Sequence, residues 1–191
     1  MDFLKNFVFN IHNVSLNSLK EFENIVQEKS FKKGHNLVKI GEISKNFYIL
    51  KKGIIRSFLV DEKGKEHTRT LYTPPSTSGN LSSLISKQPS ILIYECLTDC
   101  EVLECNYESF YKLSSKHHDL SIFQYKALEF IYIREESRIL ELSMLNATER
   151  YQLLLEKSPG IDQKINQYHI ASYLNITPVQ LSRVKKNMLH S

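Results

Sequence analysis

The chain has 191 residues, 41% of them hydrophobic and 24% charged, with 25 basic against 21 acidic side chains. This composition suits a globular protein that buries its own core without disulfides or metal. No apolar run approaches the roughly 20 residues that a membrane helix needs, and the opening "MDFLKNFVFNIHNV" has no cleavable signal pattern. The cytoplasm is the expected location and no membrane partner is expected.

In chain order, "LNSLKEFENIV" from Leu16 to Val26 has apolar residues at helical spacing and predicts a lead-in helix. From Ser30 to about Phe110 the pattern changes to short β-branched and aromatic runs. Gly34, Gly41, Gly53, "DEKGKE" and "TPPS" punctuate them. Many short, closely spaced strands predict a compact antiparallel roll or sandwich, with "VDEKGKEH" as a hairpin turn. Cys96, Cys100 and Cys105 fall in this zone. Their spacing matches neither a disulfide framework nor a zinc site, so they are expected as buried thiols.

From about Ser115 to Leu145 there is no Gly or Pro, and the segment predicts a helix of about 40 Å. Leu120, Phe123, Ala127, Phe130, Ile131, Leu142 and Leu145 make an apolar surface too wide for a helix with one buried side. It should pack on the roll and on something else, a twin helix in a parallel dimer being the economical choice. A helix buried within one monomer is the alternative. "REESR", Arg134 to Arg138, interrupts the stripe as a polar inset or a solvated turn.

Residues 146–191 then predict a small helical unit, its first helix opening on a capping-box-like Thr148 and stopping at Pro159–Gly160. From Gln163 to Ser191 there is no acidic residue, and Lys164, Arg183, Lys185 and Lys186 supply the net charge of +4. Asn166 can cap a helix carrying Ile170, Ala171 and Leu174, and Asn175 suits a left-handed turn. Thr177, Pro178 and Gln180 then supply the cap, the first position and the T-x-x-Q box of a second helix. Leu181, Val184 and Met188 form its inner face. Val179, Ser182, Arg183 and Lys186 form the outer one, flanked by Gln180 and Lys185. This reads as a helix-turn-helix whose basic second helix fits the major groove of DNA. The alternative is an ordinary helical hairpin with a charged outside.

"RYQLLLEKSPGIDQKINQYHIASYLNITPVQLSRVKK" resembles the DNA-binding end of the Crp/Fnr transcription regulators, "IASYLNITPVQLSR" being the specific part. "FKKGHNLVKIGEISKNFYILKKGIIRSFLVDEKGKEH" and "CEVLECNYESF" resemble the opening and closing parts of their cyclic-nucleotide-binding β-roll. The resemblance implies an α+β chain in three parts. Residues 1–114 are an antiparallel β-roll of the jelly-roll (double-stranded β-helix) type. Residues 115–145 are a dimerisation helix, and 146–191 a winged-helix-type helix-turn-helix domain. It implies a homodimer on a near-palindromic double-stranded operator, with RNA polymerase and a small effector as further partners. Arg183 matches the arginine that reads a guanine, and Thr177, Gln180 and Ser182 stand at phosphate-holding positions. Pro178 and Val179 occupy the other base-reading positions and cannot form bidentate bonds, so the operator should differ from that of the best-known members.

The family's nucleotide cassette is depleted. In "GNLSSLISKQPSIL" Gly79 and Leu81 fit, but Asn80 replaces the ribose-binding Glu, and Ser90, followed by Ile91, replaces the phosphate-binding Arg. Glu135 and Glu136 fall near the adenine site, where negative charge opposes an anion. Cyclic AMP is therefore not the expected effector, and an unidentified small ligand is the alternative. No cysteine precedes Cys96 to suggest the family's iron–sulfur cluster. No cofactor, metal or catalytic constellation is expected, and the chain does not read as an enzyme.

Overall fold

The computed structural model describes residues 2–189. The last two residues of the expected DNA-binding unit, and Met1, lie outside them. Two helices lead in, α1 (Asp2–Ile11) and α2 (Leu16–Asn24), the second capped by Ser15, whose side chain accepts from the Ser18 amide. The sequence reading anticipated only α2. Leu4 and Val8 of α1 are fully buried, so the apolar opening belongs to the core.

Eight strands follow: β1 (Val26–Phe31), β2 (Asn36–Val38), β3 (Asn46–Lys52), β4 (Ile55–Val60), β5 (Glu66–Tyr72), β6 (Ser76–Ser78), β7 (Ile93–Cys96) and β8 (Cys100–Asn106). They pair antiparallel in two sheets, β1-β8-β3-β6 and β2-β7-β4-β5. The predicted antiparallel roll is therefore present, with β1 starting ahead of Ser30. Tyr48, Leu50, Ile55, Tyr94 and Val102 pack between the two sheets. Cys96, Cys100 and Cys105 are free and buried, as expected. The short helix α3 (Leu81–Ser86) bridges β6 and β7.

Helix α4 (Tyr107–Ser114) leads into α5 (His118–Met144), 27 residues long and so about 40 Å. Leu120 and Phe123 bury its first turns against Phe22, Phe110 and the outer face of the first sheet. Past Tyr125 many apolar side chains turn outward, Phe130, Ile133, Ile139 and Met144 each being more than half exposed, while Ala127 and Ile131 stay toward the roll.

The C-terminal unit comprises α6 (Ala147–Lys157), α7 (Ile161–Lys164), α8 (Gln167–Tyr173) and α9 (Pro178–Leu189). The cap of α6 is not Thr148 but Asn146, which makes a reciprocal box with Glu149. The spacing explains the correction, because three residues after Thr148 stands Tyr151, which cannot close a box. Among the described residues this unit contains no strand, so the expected wing is not part of 146–189. Leu154, Ile161, Ile170, Leu174 and Leu181 form its core, and Ile54, Leu71 and Leu97 of the roll pack into the same cluster.

Candidate functional site

The helix-turn-helix is built as its residues dictate. Asn166 caps α8 by accepting from the Tyr168 amide at 2.8 Å. Asn175 turns the chain at φ 53°, and Ile176 donates its amide to the Ala171 carbonyl at 3.0 Å. Ala171 is buried, leaving room for α9 to cross. Thr177 and Gln180 form the reciprocal box: the Gln180 amide donates to Thr177 Oγ1 at 3.2 Å, and the Thr177 amide to Gln180 Oε1 at 2.9 Å. Leu181 and Val184 are buried and Met188 partly so.

The opposite side of α9 is open. Pro178, Val179, Gln180, Ser182, Arg183 and Lys186 are exposed. Arg183 has no ion-pair partner among the described residues. Lys185 departs from the sequence reading. It is half-buried and donates to Asp162 and Gln167 at 3.3 and 3.2 Å, so it braces α9 against α7 and α8 instead of facing outward.

The second site is a cavity of about 460 Å³ between the roll and α5. Gly79, Asn80, Leu81 and Glu135 line it; Ser90, Ile91 and Glu136 do not. Gly79 sits at φ 142°, where an added Cβ would come within 3.2 Å of Phe47 Cα, so the backbone approach there requires glycine. Asn80 is consumed by the structure itself. Its Oδ1 caps α3 by accepting from the Ser83 amide, and its Nδ2 donates to Ser90 Oγ at 2.6 Å. Ser90 Oγ in turn donates to the Leu92 carbonyl and accepts the Leu92 amide. The cassette has become a closed clip between α3 and β7. Ile91 is 73% exposed and points away from it, and Glu136 is exposed on α5.

Glu135 also differs from its expected role. Arg69 Nη2 donates to its Oε2 at 2.9 Å and Arg134 Nη2 to its Oε1 at 2.9 Å. Two guanidinium groups thus share one carboxylate, and this end of the cavity is net positive. Arg134 also lies over the Tyr72 ring at 5.2 Å. Arg69 was missed because it belongs to no cassette. Ser57 pairs with Thr70 and Phe58 with Thr68, leaving Arg69 as the extra residue of a β-bulge. The other walls are mostly apolar and aromatic, including Phe47, Leu84, Phe110 and Phe123, with Thr77, Ser78, Ser82 and Gln124 among them. Ser78 Oγ, buried at the wall, has no hydrogen-bond partner. Burial pushes the Tyr94 phenol well above its usual range, so it stays protonated.

A smaller cavity of about 270 Å³ lies between β5, α5, α6 and α8 and shares Arg69, Tyr72, Arg134 and Glu135 with the first. Beyond that shared wall, Arg138 stacks on the Tyr173 ring at 3.9 Å and donates to the Tyr173 carbonyl. Glu141 accepts from Arg138 and Lys157. "REESR" is therefore the polar seam between roll and helix-turn-helix. Among the described residues no group of three or more His, Cys, Asp or Glu is placed to hold a metal, and no helix is long and apolar enough to cross a membrane.

These features define a β-roll joined through a long helix to a helix-turn-helix unit. Residues 28–117 match the family model of the cyclic nucleotide-binding domain. Solved structures share the whole arrangement. FixK2 from Bradyrhizobium japonicum superposes with a TM-score of 0.75 at 18% identity, covering 87% of this chain and 85% of its own. The c-di-GMP responsive global regulator CLP from Xanthomonas campestris gives 0.70 at 16%, covering 92% of each. A protein from Eubacterium rectale assigned to the crp/fnr family of transcriptional regulators gives 0.69 at 15%, covering 92% and 84%. The fold is thus that of the Crp/Fnr regulators, and none of these neighbours is described as an enzyme. No curated protein sequence matches the chain significantly.

Proposed function

We propose that the chain is a homodimeric, sequence-specific DNA-binding transcription regulator of the Crp/Fnr type. The observation that carries this reading is the outer face of α9: capped, acid-free, exposed, and presenting Arg183, which has no ion-pair partner among the described residues. A helix of this kind enters the major groove with its N-terminal residues toward base edges and a guanidinium free for guanine. In this reading Thr177, Gln180 and Ser182 hold phosphates, and Lys186 adds to the positive field. Pro178 and Val179 offer apolar contact only, which favours thymine methyl groups over hydrogen-bonded readout. The exposed apolar side of α5 supplies a surface for a twin helix, and two copies of α9 would read a near-palindromic operator. RNA polymerase is a further partner of this reading.

The roll is proposed as a sensor that does not take cyclic AMP by the usual contacts, since Asn80 and Ser90 are spent on each other and neither can replace a phosphate-binding arginine. A small effector of other chemistry is the second reading, favoured by the cavity being lined at one end by Arg69 of β5 and by Arg134 and Glu135 of α5.

Selection of bound fragments from genomic DNA tests the first reading and gives the operator and its symmetry. On that operator Arg183→Ala should cost about 1–3 kcal/mol and relax specificity at one base pair. An unchanged affinity overturns the groove contact. Calorimetry with cyclic AMP and cyclic GMP tests the second statement, and micromolar affinity overturns it.

A further inference from the structure

We infer that the β-roll cavity receives an amphipathic monoanion, a carboxylic acid with an elongated apolar body, whose acid group is held by Arg69 and Arg134. The inference rests on the reading of the roll as a sensor and names the class of its ligand.

Size comes first. About 460 Å³ lies in the range of small-molecule sites, roughly 300–1,000 Å³. Chemistry of the walls comes next. Phe47, Ile49, Leu84, Phe110, Phe123 and Ile131 present hydrocarbon. The side chain best placed to answer a ribose or a base, Asn80, is already bonded at both ends. A nucleotide entering here would find few polar partners beyond the short hydroxyls of Thr77, Ser78 and Ser82, and each polar atom buried without one is costly. A hydrocarbon body instead gains from the same walls.

Charge then fixes the head group. Arg69 and Arg134 meet one carboxylate, Glu135, and the three sum to one positive charge. An incoming carboxylate completes the balance, and guanidinium planes bind carboxylates in a fork geometry. The cations come from the bulge of β5 and from α5, not from the 79–92 segment between β6 and β7. The position also gives the ligand a lever. The same Arg69, Arg134 and Glu135 line the smaller cavity, where Arg138 holds the Tyr173 carbonyl of α8. A carboxylate competing with Glu135 for the two arginines rearranges the seam against which the helix-turn-helix is docked, and such differential contact is what a switch requires.

Isothermal calorimetry on the full chain tests the inference with decanoate, decan-1-ol and cyclic AMP as probes. Decanoate should bind one site per chain in the micromolar range. Decan-1-ol should bind at least about tenfold more weakly, as should decanoate to Arg69→Gln, because each change removes one partner of the charge pair. Arg69 is half-exposed, so that variant is expected to fold. Leu84→Trp, which fills the cavity, should abolish binding. Silence with decanoate overturns the inference, as does equal affinity for the alcohol or for Arg69→Gln. Decanoate binding retained in a folded Leu84→Trp also overturns it, since the ligand then sits elsewhere. Tight cyclic AMP with silent decanoate would sink this inference and the exclusion of cyclic AMP, while leaving the roll a sensor. Decanoate binding as expected, with DNA affinity unmoved by Arg183→Ala, would sink the DNA reading alone.

Discussion

The hydroxyl of Ser172, on the first helix of the helix-turn-helix, completes the open edge of β5 by accepting the Thr68 amide at 2.9 Å. It also donates to the Glu66 carbonyl at 3.0 Å. Strand β5 is the last strand of its sheet, and an uncovered edge leaves backbone groups without partners. One serine thus covers that edge and fastens the C-terminal helical unit to the roll. Replacing Ser172 by Ala strands both groups and should weaken docking by about 1–3 kcal/mol. Hydrogen exchange at the Thr68 amide reports it directly, with faster exchange expected while the β3 and β8 amides stay protected.

Docking should also depend on pH through His169, on the same helix. Its pKa is held below the ordinary 6.5, first by burial and then by Arg56, with Lys33 acting in the same sense and Glu95 and Glu66 opposing. A histidine depressed in the docked state takes its proton first in the undocked state. The docked form is therefore fully favoured above pH 6.5 and loses ground as pH falls below it. Urea denaturation monitored on either side of that value should show the loss, and His169→Gln should flatten it.

Close to His169 lies a part-buried ion triad. Arg56, 3% exposed, meets Glu66 and Glu95 at 2.6 Å each and stacks on Phe58 at 3.7 Å. Arg56→Leu leaves two carboxylates facing each other and should cost about 3–5 kcal/mol. A companion change of both glutamates to Gln should recover part of that loss, which chemical denaturation of the three variants would show.

The outward face of α5 predicts the oligomeric state. A charge at Ile139, 65% exposed, would fall on the proposed helix-to-helix seam. Ile139→Glu should give a monomer by sedimentation while leaving far-ultraviolet circular dichroism unchanged. A wild-type chain that already sediments as a monomer would rule out the seam.

The box at the start of α9 predicts a smaller effect. Thr177→Ala removes the acceptor of the Gln180 amide and should cost about 0.5–2 kcal/mol of local stability. Amide exchange in the first turn of α9 should rise, and operator affinity should fall less than with Arg183→Ala.

What the sequence determined by itself is what acts locally. The alternation of short apolar runs set the roll, and the missing Gly and Pro set α5. The caps Asn166 and Thr177, with the turn at Asn175, set the helix-turn-helix, because capping and left-handed turns involve residues only a few positions apart. Which faces those elements share was decided by packing. Arg69 faces the cavity because a bulge in β5 shifts it, and Lys185 turns inward because Asp162 lies within reach. Asn80 and Ser90 satisfy each other across ten residues, and Glu135 stands between two arginines from different elements. Each of these depends on register and proximity between segments distant in sequence, which no local pattern encodes. The apolar opening was likewise legible as composition, but its place in the core was settled only when α1 met α5.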